Sequence, residues 1–427
     1  MKIGLLGCGN VGSAFVKLLI DNRSSIKDRI GEDLEIVAIG VRDLESPRPE
    51  WIDRSLLRND SMSVVTHPDA DVIVEVIGEV GPSRTLIEAA LRAGKSVVTA
   101  NKALLADAYF ELEDLADQVG RDIFFEAAVA GGIPLIRSLR VSLVGERLSR
   151  VTGIVNGTTN YILTRMYEDD LSFDDALEVA RELGYAEADP KADLEGFDAA
   201  AKAAILASIA FGRKVRFQDV SCEGISAVTS ADVQFARRHG YVVKLLAQCE
   251  RVMTDQGERF SIRVYPALLP DTHPLATVRE AFNAIFVEGE AVGELMFYGR
   301  GAGGLPTASA VLGDVIDAAQ NLRFGSTERR MRTQEVDILP QEQLVSHFYI
   351  AVEVLDRPGV LAAVASIFGK HGVSISSMEQ IGLGDEARLV FLTHATRERS
   401  MQKTIVELGG LDSVRAIQHS MRVITDS

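Results

Sequence analysis

Apolar residues at positions 3, 5 and 6 form a short run that breaks at Gly7, and Phe15, Val16, Leu18 and Leu19 then recur at helical spacing. The pattern predicts a strand, a glycine turn and a helix over residues 13–20, then a second strand over 34–39. Residues 71–77 are almost wholly apolar, as a strand inside a parallel sheet should be, with Glu75 out of character. A helix over 85–93 closed by Gly94, a strand at 96–99, a helix over 104–119 stopped by Gly120 and a strand at 122–126 continue the alternation. Strands and helices taken in turn specify a parallel α/β domain.

The pattern then changes. Residues 126–134 are small and contain Gly131-Gly132, which predicts irregular backbone with exposed carbonyls. β-branched residues after Arg150 predict a strand that ends at the turn pair Asn156-Gly157. Thr158, Thr159 and Asn160 follow, placed either to cap the next helix or to line a small polar pocket. Pro190 keeps its surroundings extended or turned. Residues 199–209 form a nearly all-apolar stretch that predicts a buried helix. A helix at 230–238, strands at 241–251 and 260–267, and a second glycine loop before a helix ending at Asn321 come next. That loop either covers a ligand or is a flexible connection. Residues 325–339 are charged and weakly patterned, as a linker would be. Beyond them, strands at 347–355, 373–380, 388–394 and 414–424 alternate with helices at 361–371 and from 399, a β-α-β-β-α-β order.

Composition narrows the function classes. Of 427 residues, 47% are apolar and 25% charged, ordinary for a globular protein with two or three domains. The net charge of −16 argues against nucleic acid or an anionic membrane as partner. Cys8, Cys222 and Cys249 lie far apart, which fits reduced thiols in the cytoplasm and neither a disulfide framework nor a zinc site. No apolar run is long enough to span a bilayer, and a pattern that starts at residue 2 leaves no room for a signal peptide.

Gly7, Gly9 and Gly12 match G-x-G-x-x-G between a strand and a helix. Gly7 turns the chain, Gly9 admits a pyrophosphate to the backbone, and Gly12 lets helix and strand pack closely. The helix start offers unpaired amides and a positive dipole end. At the end of the second strand stand Arg42, suited to a 2′-phosphate, and Asp43, suited to a 2′-hydroxyl; Arg42 comes first, which favours NADP and leaves NAD open. Lys102 follows the strand at 96–99 where doubly wound sheets bind ligands. Asp198 and Lys202 stand four apart on one helix face. On a surface they would be a minor ion pair. In an apolar helix the lysine is costly unless paired, and a paired, partly desolvated lysine suits proton transfer to a substrate oxygen.

These stretches together resemble homoserine dehydrogenase over residues 1 to about 325, and the tail resembles an ACT domain, a small amino-acid-binding module. The most specific stretch is Gly-Tyr-Ala-Glu-Ala-Asp-Pro at 184–190, followed by Asp-Leu-Glu-Gly-Phe-Asp-Ala-Ala-Ala-Lys at 193–202. In the tail, Asp-Arg-Pro-Gly-Val-Leu at 356–361 and Val-Ser-Ile at 373–375 carry the likeness. The resemblance implies an α/β fold with a Rossmann-type domain over 1–135 completed by 301–325, an α+β substrate and dimerisation domain over 136–300, a linker at 326–346 and a ferredoxin-like ACT domain over 347–427. It implies reversible NAD(P)H-dependent conversion of L-aspartate 4-semialdehyde to L-homoserine, with Lys202 as the acid–base lysine and Lys102 its partner. Glu187, Asp193, Asp198 and Thr158 would serve the substrate. Gly7, Gly9, Asn10, Val11, Gly12, Arg42, Thr99, Lys102, Gly157 and Gly303 would serve NADP or NAD. Glu126 with the carbonyls of Val129, Gly131 and Ile133 would hold a monovalent cation, sodium in the usual description. Asp356, Gly359 and Val360 would bind an effector, threonine foremost, between paired ACT units of a homodimer or homotetramer. Removing everything after about Leu339 is then expected to abolish threonine sensitivity and leave activity. One departure is Ile77-Gly78-Glu79, where the family pattern has Gly-Gly. The rival readings are another NAD(P) oxidoreductase of amino-acid metabolism and a non-catalytic nucleotide and amino-acid sensor.

Overall fold

The computed structural model describes residues 1–327, 333–382 and 384–425. The chain divides into two compact units: Met1–Arg147 with Ala204–Phe217 and Phe297–Glu335, and Leu148–Ala203 with Gln218–Met296 and Val336–Ser427.

In the first unit a parallel sheet runs in the order Leu57–Arg58, Glu35–Gly40, Lys2–Leu6, Val72–Glu75, Ser96–Thr99, Ile123–Phe124. The order reverses at the first strand, so its carboxyl end opens on the crevice where such sheets bind ligands. Phe15, Val16 and Leu19 of the helix Asn10–Ile30 share a core with Ala308, Val311, Val315 and Ala318 of the helix Gly304–Phe324. The first helix is far longer than the 13–20 expected from its apolar stripe. Its second half is polar and exposed, so hydrophobic spacing does not report it; the helix runs on until Gly31, which takes the left-handed conformation (φ 72°) that ends it. The strand expected over 122–126 keeps only Ile123–Phe124, because Glu126–Ala128 coils into a 3-10 turn.

In the second unit, antiparallel strands are ordered Phe282–Gly289, Leu148–Ile154, Tyr241–Thr254, Gly257–Pro270. The first of these was not anticipated from the sequence. The C-terminal module has the expected β-α-β-β-α-β order: Val345–Leu355, Val360–Lys370, Ile375–Gly382, Glu386–Thr393, Glu398–Leu408 and Val414–Val423. It is not a separate appendage. Its last strand pairs in parallel with Gly257–Pro270 through Ala267–Arg422 and Leu268–Val423, and one sheet runs through both parts.

Buried charge reinforces that seam. Asp232, fully buried in the helix Ser230–Arg238, accepts hydrogen bonds from Tyr349 Oη (2.5 Å) and Arg388 Nη2 (2.5 Å) of the module, while its other oxygen caps its own helix through Thr229 N (2.9 Å). Arg422 pairs with Glu398 at 2.9 Å and with Glu223, and these partners raise its already high pKa further against the opposing effect of burial. The expected linker is also ordered where described. Gln334–Glu335 pair with Arg213–Lys214 in the first unit, and Leu339 N donates to Phe260 O (2.8 Å) in the second. Residues 328–332 of that stretch, and 426–427 of the module, lie outside the described residues.

Deleting module residues would therefore bare the edge of Gly257–Pro270 at Ala267 and Leu268 and strand Asp232 without its partners, so truncation is expected to lower the stability of the second unit. Asp232→Ala leaves Arg388 buried and unpaired. It should destabilise the second unit by about 3–5 kcal/mol, seen as a lower urea midpoint at unchanged m-value.

Candidate active site and nucleotide cradle

The glycine turn of the first unit has the geometry its three residues demand. Gly7 lies at φ +96°, and a Cβ there would sit 2.8 Å from Val76 O. A Cβ on Gly12 would sit 2.2 Å from Gly7 O, so no other residue lets the helix start so close to the strand. Gly9 faces open space within 4 Å. It is the N-cap of Asn10–Ile30 and supplies no side-chain cap, so the first amides, at Asn10 and Val11, are available to an anion. The glycine cradle therefore fits a dinucleotide. Gly303, at φ +118°, caps the helix Gly304–Phe324, and a Cβ on Gly304 would lie 3.1 Å from Asn10 O, so the second glycine loop packs on the first turn.

Glu75 explains its odd place in an apolar strand. Fully buried, it accepts from Ile77 N (2.8 Å), Ser83 Oγ (2.9 Å) and Thr99 Oγ1 (2.6 Å), tying the loop after its own strand to the next. The Thr99 hydroxyl is thus committed to Glu75. Lys102 is exposed at the start of the helix Lys102–Gln118, which Asn101 caps through Leu104 N (3.1 Å). Arg42 is exposed and reaches Glu79 (3.0 Å), one of the residues standing where the family pattern has glycine. Asp43 is exposed, and its carboxylate accepts from Ser46 Oγ (2.7 Å) and Glu45 N (2.9 Å) of its own loop, which hold it below the usual range.

Glu126 is buried, and its two oxygens accept from Ile136 N and Arg137 N, both at 2.8 Å. Burial still pushes its pKa up. Its amide donates to Asp314 Oδ2 (2.8 Å), a carboxyl raised well above the ordinary range by burial and by the charge of Glu126. Between Val129 and Ile133, Ala130 (φ 58°) and Gly131 (φ 55°) are both left-handed, and a Cβ on Gly131 would strike Gly301 O at 2.3 Å. Among the described residues no group of three or more His, Cys, Asp or Glu side chains could hold a metal ion, so a cation here would depend on carbonyls.

In the second unit the acidic stretch gathers around one residue that the sequence reading passed over. Asn156 does not form a turn with Gly157; it is the N-cap of the helix Gly157–Glu168, accepting from Thr159 N (2.9 Å). Its Nδ2 donates to Asp193 Oδ1 (2.6 Å) and Asp198 Oδ2 (2.8 Å). Lys202 Nζ donates to the same Asp198 oxygen (2.7 Å) and to Val155 O (2.6 Å). Lys202 and Asp198 are only 8% and 7% exposed, so this is not the surface pair considered as the alternative. Thr158 is buried and donates to Tyr185 O (2.6 Å). Gly157 touches the loop before the strand Phe282–Gly289: a Cβ there would lie 2.9 Å from Ala281 O. Glu187 is exposed. The fold thus brings Asn156, Asp193, Asp198 and Lys202 into one hydrogen-bonded group, with Gly157 and Thr158 beside it and Glu187 at the surface. Asparagine ahead of a helix is a favoured cap, but the pair Asn156-Gly157 reads equally well as a turn.

In the module, Asp356, Gly359 and Val360 line a cavity of about 360 Å³ together with Arg357, Leu361 and Gln380. Gly359 is left-handed (φ 92°) and caps the helix Val360–Lys370.

Comparison with known proteins agrees with this architecture. Residues 7–126 match the NAD-binding domain of homoserine dehydrogenase, residues 134–316 match the homoserine dehydrogenase domain, and residues 348–409 match the ACT domain. A homoserine dehydrogenase of Mycobacterium tuberculosis is 48% identical over 99% of this chain and 97% of its own length. The crystal structure of a homoserine dehydrogenase from Thiobacillus denitrificans superimposes with a TM-score of 0.93 at 38% identity, covering 99% of this chain and 98% of that one. A hyperthermophilic archaeal homoserine dehydrogenase in complex with NADPH gives a TM-score of 0.64 at 30% identity, covering 77% of this chain and 99% of that one.

Two glycine substitutions should separate packing from binding. Gly12→Ala forces strand and helix apart and should lower both thermal stability and dinucleotide affinity. Gly9→Ala meets no neighbour, so it should leave the melting temperature near wild type and weaken only the dinucleotide, measured by quenching of intrinsic fluorescence.

Proposed function

The chain belongs to the homoserine dehydrogenase family, and we propose that Lys202 is the acid–base group of its reversible, NAD(P)H-dependent conversion of L-aspartate 4-semialdehyde to L-homoserine. The observation that carries this reading is the buried Lys202 ammonium, held by Asp198 and by Val155 O. The nicotinamide supplies or accepts the hydride when bound. As the aldehyde carbon is reduced, its oxygen gains charge, and a nearby ammonium stabilises that charge and delivers the proton. Asp198 holds and aims Lys202, and Asn156, donating to the same carboxylate oxygen, keeps Asp198 in place. Asp193, Glu187 and Thr158 are assigned to the substrate's polar groups, with the carboxylates drawing its ammonium. Lys102 is assigned to cofactor and reacting oxygen on the family resemblance.

We assign NADP as the preferred dinucleotide. The support is an exposed Arg42 at the end of the second strand and an Asp43 carboxylate already engaged by Glu45 N and Ser46 Oγ of its own loop. Glu126 with the carbonyls of Val129, Gly131 and Ile133 is assigned to a monovalent cation, sodium by resemblance; the support is the paired left-handed backbone at Ala130 and Gly131, which leaves the regular strand direction there. Threonine is assigned to the cavity at Asp356, Gly359 and Val360, and the working form to a homodimer or homotetramer. The strand Ile375–Gly382 is the outer strand of the module's sheet and largely exposed, an edge available to a second copy. Among the described residues no helix is long and apolar enough to cross a membrane.

Steady-state kinetics with both cofactors tests the catalytic assignment. NADPH should give the higher kcat/KM, and Lys202→Ala should lose at least ~10²-fold in kcat with little change in NADPH affinity. Turnover close to wild type in that variant would remove Lys202 from the chemistry. For regulation the full chain is needed, because truncation breaks the shared sheet. L-Threonine should inhibit the wild type, and Asp356→Ala should abolish that inhibition at unchanged basal rate; inhibition persisting at the same concentration would place the effector elsewhere.

A further inference from the structure

Lys244, on the strand Tyr241–Thr254, is only 2% exposed. Its Nζ donates to Asn160 Oδ1 (2.8 Å) and to Val278 O (2.5 Å), an amide and a peptide carbonyl rather than a carboxylate. Burial pushes this ammonium down to about 7, against the pull of Glu168 and Glu280 and with Arg279 adding to the depression. An apolar side chain would cost far less here. What the lysine supplies is two donated hydrogen bonds, and both go to one structural feature. Asn160 Nδ2 donates to the carbonyls of Glu280 (2.8 Å), Val278 (3.3 Å) and Phe282 (3.3 Å). Lys244 and Asn160 therefore grip the 278–282 segment from inside.

That segment is not relaxed. Glu280 is left-handed (φ 54°), a conformation unfavourable for a non-glycine residue, and Arg165 pins its side chain at 2.5 Å. At the crest of the bend, the carbonyl of Ala281 lies against Gly157, closer than a Cβ would allow. Gly157 opens the helix whose cap is Asn156, and Asn156 holds Asp193 and Asp198.

We propose that Lys244 is a positioning residue for the reaction: through Asn160 and the 278–282 segment it sets the Ala281 carbonyl against Gly157, and so sets the Asn156 turn that holds Asp198 on Lys202. The proposal rests on the assignment of Lys202 as the acid–base group, and a fully active Lys202→Ala would refute that assignment without touching the effect of Lys244 on the turn.

The test uses the full chain, assayed at saturating substrates and at a temperature where circular dichroism shows each variant folded. Lys244→Met removes both donated bonds at similar volume and should lower kcat by ~10-fold or more, the scale of a small misplacement of reacting groups. Lys244→Gln keeps an amide donor group on a shorter stem and no charge, should fall between wild type and Lys244→Met, and carries the test if Lys244→Met does not fold. Asn160→Leu should lower kcat similarly, and adding Lys244→Met to it should cost little more, since both act through one latch. A folded Lys244→Met or Lys244→Gln with kcat within twofold of wild type, its melting temperature alone reduced, would make the lysine a stability element only. Losses that multiply in the double variant would show that the two residues act separately, and would overturn the proposal.

Discussion

The amide of Asn156 is the interaction on which the second unit's buried ion pair depends. One side chain closes a helix end through Thr159 N and, with its nitrogen, binds two carboxylates. A buried lysine and a buried aspartate are each unfavourable alone, and their attraction offsets the loss of water only when the remaining polar atoms are also satisfied. Asn156, donating to Asp198 Oδ2, and Val155 O, accepting from Lys202, supply part of that satisfaction from adjacent backbone positions at the end of the strand Leu148–Ile154. The ion pair therefore exists because a strand ends, a helix begins and an amide spans the junction.

Much of the first unit could be read from the chain. Gly7, Gly9 and Gly12 have positional meaning that steric argument alone recovers, and continuous apolar runs announce interior parallel strands. The limits of that reading are physical. The polar half of the helix Asn10–Ile30 buries little and has no spacing to detect. Glu75 looks like an error until the amides and hydroxyls converging on it are known, and those come from three separate segments. In the second unit the Asp198–Lys202 pair was legible from spacing and composition. Asn156 was not, because Asn-Gly is ambiguous between a hairpin turn and a helix cap until the following residues are seen to coil. Lys244 had no signal at all: a lone lysine in a strand reads as surface until its strand is found at the centre of a sheet.

The C-terminal module shows a different limit. Its internal pattern was recovered almost element by element, yet its integration was not. Sequence periodicity describes what a strand buries on its faces and says nothing about what lies along its edge. The edge pairing of Ala267 and Leu268 with Arg422 and Val423, and the reach of Tyr349 and Arg388 to Asp232, are long-range facts. They make the module part of one sheet with the strand Leu148–Ile154, at whose end Val155 and Asn156 stand.

The shared sheet also bears on synthesis. The strand that covers the edge at Ala267 is made about 155 residues later, at Arg422. At ~5–20 residues per second this leaves the edge open for roughly 8–30 s on the ribosome. An open edge is a template for stray pairing between nascent chains.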